Sequence, residues 1–164
     1  MAIYTKLVNY IKEKHWKKTL PKWFLVLGLL IGILGMFDAS FLTYEYYHPS
    51  DVCPLHGGII NCGKVGSSQY AAIWHVPVAV LGLVYYLCLS LIFSYLLYKK
   101  NLAEVLVLLL VLATVAVLFS LWLLYVQIAL IGFLCSYCLG SLLLSIIMLI
   151  SDIYLMHEYH VADF

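Results

Sequence analysis

Charged residues are scarce in this chain of 164 residues, and arginine is absent altogether. Only 10% of the residues are charged, while 65% are hydrophobic. An ordinary soluble domain has about one quarter charged and about one half apolar residues, so the composition excludes that class. It predicts an integral membrane protein instead. The formal net charge of +1 gives no reason to expect nucleic acid as a partner.

Four apolar runs are each long enough to cross a hydrocarbon layer of roughly 30 Å. They cover residues 23–47, 77–98, 103–127 and 134–156. The first run is too long for a signal-peptide core and lacks a clear small-residue cleavage site, so we expect it to be retained as a helix. The predicted fold is an all-α integral membrane bundle of four transmembrane helices. A cysteine-bearing loop over residues 48–76, called the outer loop below, joins the first two helices.

Eight of the nine lysines flank the spans on one side, and only Lys64 falls in the outer loop. The positive-inside rule therefore predicts a multi-pass protein of the cell membrane with both termini in the cytoplasm. The outer loop and a short turn at 131–133 then face the extracytoplasmic side. The expected organisation is a basic segment 1–22 that contacts lipid headgroups or only sets topology, a four-helix domain 23–156 and a short, poorly ordered tail 157–164.

The five cysteines form two local pairs and one single residue. Cys53 and Cys62 lie nine positions apart in the outer loop, and Cys135 and Cys138 form a CxxC motif where the last apolar run begins. Thiols at i and i+3 of a helix start face the same side, and a helix N-terminus lowers the pKa of a cysteine placed there. The pattern indicates thiol–disulfide exchange, in which the loop pair passes two electrons inward. Cys88 stands alone in the second span and is expected to be a small core residue.

Two further interpretations fit the same cysteines. One is a non-catalytic four-span scaffold whose outer segments are braced by two disulfides. The other is a metal-binding membrane protein in which the four paired cysteines ligate one ion, as in structural zinc sites. Bound quinone would favour the enzyme over both, whereas stoichiometric zinc would favour the metal protein.

Several motifs taken together resemble the vitamin K epoxide reductase family, including its bacterial and archaeal members that act in disulfide-bond formation. The resemblance covers roughly residues 24–155. It rests on the two loop cysteines and on four segments: Phe41-Leu42-Thr43-Tyr44, Cys62-Gly63-Lys64-Val65-Gly66-Ser67-Ser68-Gln69-Tyr70, the run 77–86 and Cys135-Ser136-Tyr137-Cys138. The DsbB type also has four spans and two cysteine pairs, but there the CxxC motif comes first. The resemblance implies a four-helix bundle around a quinone pocket.

The resemblance also implies a role for each site residue. Cys53 exchanges with a thioredoxin-like partner, Cys62 relays electrons to Cys135, Cys138 faces the quinone, and Ser68 helps to bind the quinone beside that pocket. The implied function is a membrane thiol:quinone oxidoreductase that supports disulfide-bond formation in exported proteins. Its partner is a separate thioredoxin-like (DsbA-like) protein, and its cofactor is a quinone of the ubiquinone, menaquinone or vitamin K type. We expect a monomer without a metal site.

A few other polar and aromatic residues fall near this predicted site. Asp38 lies in the outer half of the first span, where a carboxyl is costly. We expect it to make a structural hydrogen bond or to be protonated, with a proton route as the alternative. His56 and His75 lie on the redox side and are alternatives for proton transfer. Tyr70 and Trp74 precede Pro77, and we expect them to be aromatic residues at the membrane interface.

Overall fold

The computed structural model of the protein describes residues 20–48, 53, 57–98 and 103–161, with the side chains of 103, 104 and 158–161 excepted. The predicted basic segment 1–22 lies outside this description apart from its last three residues, and so does His56. The placement of the two lysines between the second and third spans is likewise outside the description.

Four long helices form the bundle, and they confirm the predicted fold class. They are α1 (Lys22–Tyr47), α3 (Val78–Tyr98), α4 (Ala103–Tyr125) and α5 (Ser136–Val161). All four are long and apolar enough to cross a membrane. A helix suits these sequences because every interior backbone group is paired within the segment, which lipid surroundings demand. The outer loop contains a short helix α2 (Cys62–Gly66) and two strands, β1 (Ala72–Ile73) and β2 (Val76–Pro77).

Two helix ends differ from the prediction. The third span does not stop near 127, because α4 continues as a π-helix over Val126–Ile131 and ends at Gly132, whose left-handed φ of 75° turns the chain. The last helix does not give way to a tail at 157 but continues to Val161. No glycine or proline follows Gly140 in that segment, so nothing in the sequence stops the helix earlier.

The bundle is built from two closely packed helix pairs, α1 with α3 and α4 with α5, and α1 also contacts α5. The α1–α3 contact depends on small residues. The ring of Phe93 lies against Gly28 and the ring of Tyr86 lies against Gly35, where a Cβ atom would overlap them. Small residues let helix backbones approach closely, which is a common basis of packing in membranes.

Cys88 is not in the core, contrary to the prediction. It is exposed on the outer surface of α3. The buried positions of that helix are Tyr86, Leu89, Phe93 and Leu96, a spacing that leaves Cys88 on the opposite side. The apolar surroundings of Cys88 in the sequence therefore could not show whether it is buried, because lipid-facing positions are as apolar as core positions.

The two strands form an antiparallel hairpin immediately before α3. Its turn residues, Trp74 and His75, both have positive φ values, of 50° and 69°. Trp74 is 94% exposed, as suits an interfacial aromatic. The hairpin runs directly into α3, with the Val78 N–H donating to the carbonyl of Ala71 at 2.9 Å. This connection places the start of α3 beside the outer loop.

Candidate active site

The outer cysteine pair is a disulfide between Cys53 and Cys62. Cys62 is buried at the first residue of α2, and Cys53 is half-buried. The helix begins at Cys62 because Asn61 caps it, its side-chain oxygen accepting the Lys64 N–H at 2.9 Å. One sulfur of the disulfide is therefore fixed by a capped helix.

Backbone hydrogen bonds tie this loop to the segment before the CxxC motif. The Asn61 N–H donates to the Leu134 carbonyl at 2.9 Å, and the Leu134 N–H donates to the Ile59 carbonyl at 2.8 Å. Asn61 and Leu134 are the residues immediately before Cys62 and Cys135. A parallel bridge thus sets the two cysteines side by side, although they are far apart in the sequence.

Ser136 lies where the two cysteine pairs meet. Its Oγ is 3.5 Å from Cys53 Sγ and 3.5 Å from Cys62 Sγ. Ser136 is also the first residue of α5 and the neighbour of Cys135 in the chain. The outer disulfide therefore rests directly on the CxxC segment.

The CxxC cysteines are free thiols at the start of α5. Cys135 is buried just before the helix, and Cys138 is half-buried in its first turn. A hydrogen bond from the Cys138 thiol lowers the pKa of the Cys135 thiol, and the backbone N–H groups of Cys138 and Tyr137 act in the same direction. Burial of Cys135 opposes this effect in part. The helix start thus favours a thiolate at Cys135.

A buried glutamine supports this helix start. Gln127 lies in the π-helix and is only 3% exposed. Its side-chain oxygen accepts the backbone N–H of Cys135 at 2.8 Å. The N–H that precedes α5 is therefore paired although it lies away from water.

A cavity of about 280 Å³ opens beside these thiols. Cys62, Cys135 and Cys138 all line it. Most of its other lining is apolar and comes from α1, α3 and α4. The polar side chains in its wall include the carboxyls of Asp38 and Glu45, the hydroxyls of Ser68 and Tyr85 and the amide of Gln127. An apolar cavity with a few polar groups is typical of a small-molecule site.

The sequence model of the vitamin K epoxide reductase family matches residues 26–153, most of the chain. The chain belongs to the vitamin K epoxide reductase family. It is also similar to the thiol-disulfide oxidoreductase LTO1 of Arabidopsis thaliana, with 44% identity over 52 residues. That stretch is 31% of this chain and only 13% of the plant protein. Together, the family and this relative support an oxidoreductase that acts on thiols.

Members of this family are associated with quinones, and the cavity fits such a group. Its volume is close to the lower end of the range of small-molecule pockets, roughly 300–1,000 Å³. The hydroxyl of Tyr85 is buried in the wall and has no hydrogen-bond partner among the residues that the structure describes. A buried hydroxyl without a partner is costly, so a ligand oxygen in the cavity would satisfy it.

The structure brings the predicted site residues of this family member together. Cys53 and Cys62 are bonded to each other and contact the CxxC segment, while Cys138 and Ser68 line the cavity. The Ser68 hydroxyl donates to the Val65 carbonyl at 2.7 Å. Donation from Ser68 to a quinone, the role implied by the resemblance, would require that hydroxyl to rotate away.

Three residues of the site carried no functional prediction, namely Ser136, Gln127 and Tyr85. Gln127 offered the clearest signal, because it is the only amide side chain in the apolar run 103–127. Tyr85 lay within a motif of the resemblance but was not distinguished from its neighbour Tyr86. Ser136 had no signal apart from its place inside the CxxC motif.

Proposed function

We propose that the protein is a membrane thiol:quinone oxidoreductase that oxidises a separate thioredoxin-like protein of the DsbA type. The outer loop faces the extracytoplasmic side, where the oxidised partner introduces disulfides into exported proteins. The observation that supports this proposal best is that the two cysteine pairs meet beside one cavity. The Cys53–Cys62 disulfide touches the CxxC segment at Ser136, and the CxxC thiols line a cavity.

The first exchange takes place at the outer disulfide. A thiolate of the reduced partner attacks Cys53 Sγ, which forms a mixed disulfide and releases Cys62 as a thiolate. The partner's second thiolate then attacks the partner sulfur that is bonded to Cys53. The partner leaves as a disulfide, and Cys53 is left as a thiolate. The released Cys62 thiolate can accept a hydrogen bond from Ser136 Oγ, which lies 3.5 Å from this sulfur.

The second exchange moves the two electrons inward. The Cys62 thiolate attacks Cys135 Sγ of an oxidised CxxC pair and releases Cys138 as a thiolate. Cys53 then attacks Cys62, which restores the outer disulfide and releases Cys135. Two cysteines have been oxidised and two reduced, so the exchange balances without an external reagent.

The cavity residues supply the setting in which the CxxC pair is reoxidised. A quinone bound there supplies an acceptor for two electrons and two protons. Tyr85 would hold it by donating from its unpaired hydroxyl, and Ser68 would hold it after rotation. The Asp38 carboxyl lines the same cavity and is placed to hold a proton near the thiols. The apolar walls exclude water from the thiolates.

The two alternative functions fit this arrangement less well. Cys53 and Cys62 are bonded to each other, so their sulfurs are not the free thiolates that a four-cysteine metal site needs. A scaffold would require a disulfide to brace the outer segments. It would give no reason for two free thiols to line an apolar cavity.

The proposal is tested with purified protein in lipid vesicles and a reduced thioredoxin-like protein of the DsbA type. We expect continuous oxidation of the partner when a short-chain ubiquinone or menaquinone is added. Without quinone, oxidation should stop after the disulfides of the protein have been used once. The measurement is the loss of partner thiols with time.

Matched variants identify the thiols that matter. The double variant Cys135→Ala, Cys138→Ala should lose quinone-dependent turnover, whereas Cys88→Ala should keep it, because Cys88 lies on the outer surface of α3. Partner oxidation that continues at the parent rate without quinone, or in the double variant, would overturn the proposed function.

Tyr85→Phe tests the cavity as the quinone site. Removing the hydroxyl should raise the KM for quinone about tenfold, the usual effect of a lost hydrogen bond of about 1 kcal/mol or slightly more. The single-turnover exchange with the partner should not change. Tyr95→Phe, on an exposed position of α3, is the control. An unchanged KM in Tyr85→Phe would exclude Tyr85 as a donor to the quinone.

A further inference from the structure

The π-helix that ends α4 carries a side chain whose burial needs a reason. Gln127 is 3% exposed and lies among apolar residues. Burying an amide without partners costs several kcal/mol, roughly 2–7 by the range of reference states. Short π-helical turns within helices are rare and are found frequently at functional sites. The buried amide and the π-helix are both unfavourable by themselves, so we expect Gln127 to have a function at this position.

The contact with Cys135 fixes the orientation of the Gln127 amide. A backbone N–H can only donate, so the group that it meets at 2.8 Å must be the Gln127 oxygen. The amide nitrogen then lies on the other branch of the same planar group. Its two hydrogens are directed away from the Cys135 backbone.

Gln127 and Cys138 both line the cavity, so the Gln127 amide and the Cys138 thiol face the same space. With the oxygen already engaged, the nitrogen is the atom that remains for the sulfur. The other titratable groups that face this thiol are Cys135, from the segment before α5, and Asp38 from α1. Cys138 donates its own proton to Cys135, so the lone pairs of the Cys138 sulfur remain for a further donor. The Gln127 amide N–H can be that donor, whereas the Asp38 carboxyl brings negative charge.

We propose that Gln127 is a positioning residue for the CxxC pair. Its oxygen holds the Cys135 backbone and its nitrogen donates to Cys138 Sγ. One side chain thereby sets the distance between the two thiols and stabilises the reduced, ionised form of the pair. The assignment concerns the CxxC equilibrium itself and holds whatever the electron acceptor is, so it does not depend on the proposed quinone.

The test measures the equilibrium of the CxxC pair with glutathione in a background that lacks the other cysteines, Cys53→Ala, Cys62→Ala, Cys88→Ala. Gln127→Met has a similar length but no donor. We expect it to favour the CxxC disulfide about tenfold over the background protein, which is about 30 mV for a two-electron couple. The alkylation rate of Cys135, the thiolate of the reduced pair, should fall with it at fixed pH, as read by mass spectrometry.

Two further variants keep the result interpretable. Gln127→Asn retains the amide but is one methylene shorter, so we expect that it cannot reach both partners. It should shift the glutathione equilibrium in the same direction as Gln127→Met, and it buries the same amide group as the parent. Gln69→Met, an exposed glutamine of the outer loop, should change nothing. A glutathione equilibrium within twofold of the background in both Gln127 variants would overturn the assignment. Failure of quinone turnover with a normal shift would instead count against the proposed function alone.

Discussion

Ser136 stands at the junction of the two disulfide-forming pairs, and its hydroxyl has only one hydrogen to donate. Both outer sulfurs lie at 3.5 Å from Ser136 Oγ. In the closed disulfide neither sulfur carries a charge, so both contacts are weak. When the disulfide opens, one sulfur becomes a thiolate and gains a strong, charge-assisted donor. The hydroxyl therefore favours the opened state of the outer pair.

Ser136→Ala should slow the opening of the outer disulfide. Loss of a hydrogen bond to a charged sulfur is expected to cost about 1.5 kcal/mol or more, which is about tenfold in rate. The measurement is a single-turnover reaction with the reduced thioredoxin-like partner in the absence of quinone. Ser94→Ala, on an exposed position of α3, serves as the control. An unchanged rate would show that Ser136 only fills space.

The lowered pKa of Cys135 predicts how the reduced CxxC pair responds to pH. An ordinary cysteine has a pKa of about 8.5 and is mostly protonated below that pH. Because the folded protein lowers the pKa of Cys135, alkylation of this residue by iodoacetamide should persist below that pH. Cys138→Ala removes the main hydrogen bond, so the midpoint should move to higher pH. The measurement is mass spectrometry of the modified peptide at a series of pH values. A midpoint that stays in place in Cys138→Ala would contradict the assigned cause.

The sequence revealed the cysteines of the site but not the groups that tune them. Two pairs at fixed spacings can be read directly, since exchange needs two thiols in each pair. The amide of Gln127 and the hydroxyl of Tyr85 act through orientation, which depends on how helices from different parts of the chain pack. The direction of the Ser68 hydroxyl likewise follows from the turn after α2 and from no motif.

At the scale of the helices, apolar length predicted the four spans well, because crossing lipid requires a long run without charge. It could not predict which side of each helix is buried. Cys88 shows the reason, since lipid and protein core select the same kind of residue. The end of α4 was missed because a π-helix changes the helix register without changing composition.

Gly35→Ala should destabilise the pairing of α1 with α3. A Cβ atom at this position would overlap the ring of Tyr86, a buried residue whose hydroxyl bonds to Ser141 Oγ at 2.7 Å. Overpacking of this kind costs typically 1–3 kcal/mol. Thermal unfolding in detergent should therefore show a lower Tm. Gly140→Ala is the matched control, because its Cβ would meet open space in α5. An equal Tm for both variants would contradict the close packing of α1 on α3.

At the scale of the whole molecule, the bundle places the CxxC pair and the outer disulfide at one end. The hairpin with Trp74 lies at the same end, while most lysines flank the opposite ends of the helices. The charge pattern therefore predicts that the protein is oriented with its outer loop and both cysteine pairs on the extracytoplasmic side.

A membrane-impermeant maleimide tests this orientation. Cys53 and Cys62 should be labelled from outside intact cells only after mild reduction, because the folded protein holds them in a disulfide. Labelling of these residues only in inverted vesicles would reverse the proposed topology. A Cys53→Ser, Cys62→Ser variant controls for reaction at Cys88 and at the CxxC pair.

The bridge between the outer loop and Leu134 also decides which thiols can compete for the inner pair. Cys62 is carried on the same framework as Cys135, so it acts at an effective concentration of about millimolar or higher, whatever the surroundings contain. A small thiol in solution must find by diffusion a sulfur that is 1% exposed. Cys135 is thereby expected to react faster with Cys62 than with a small thiol in solution, although it can still equilibrate slowly with glutathione.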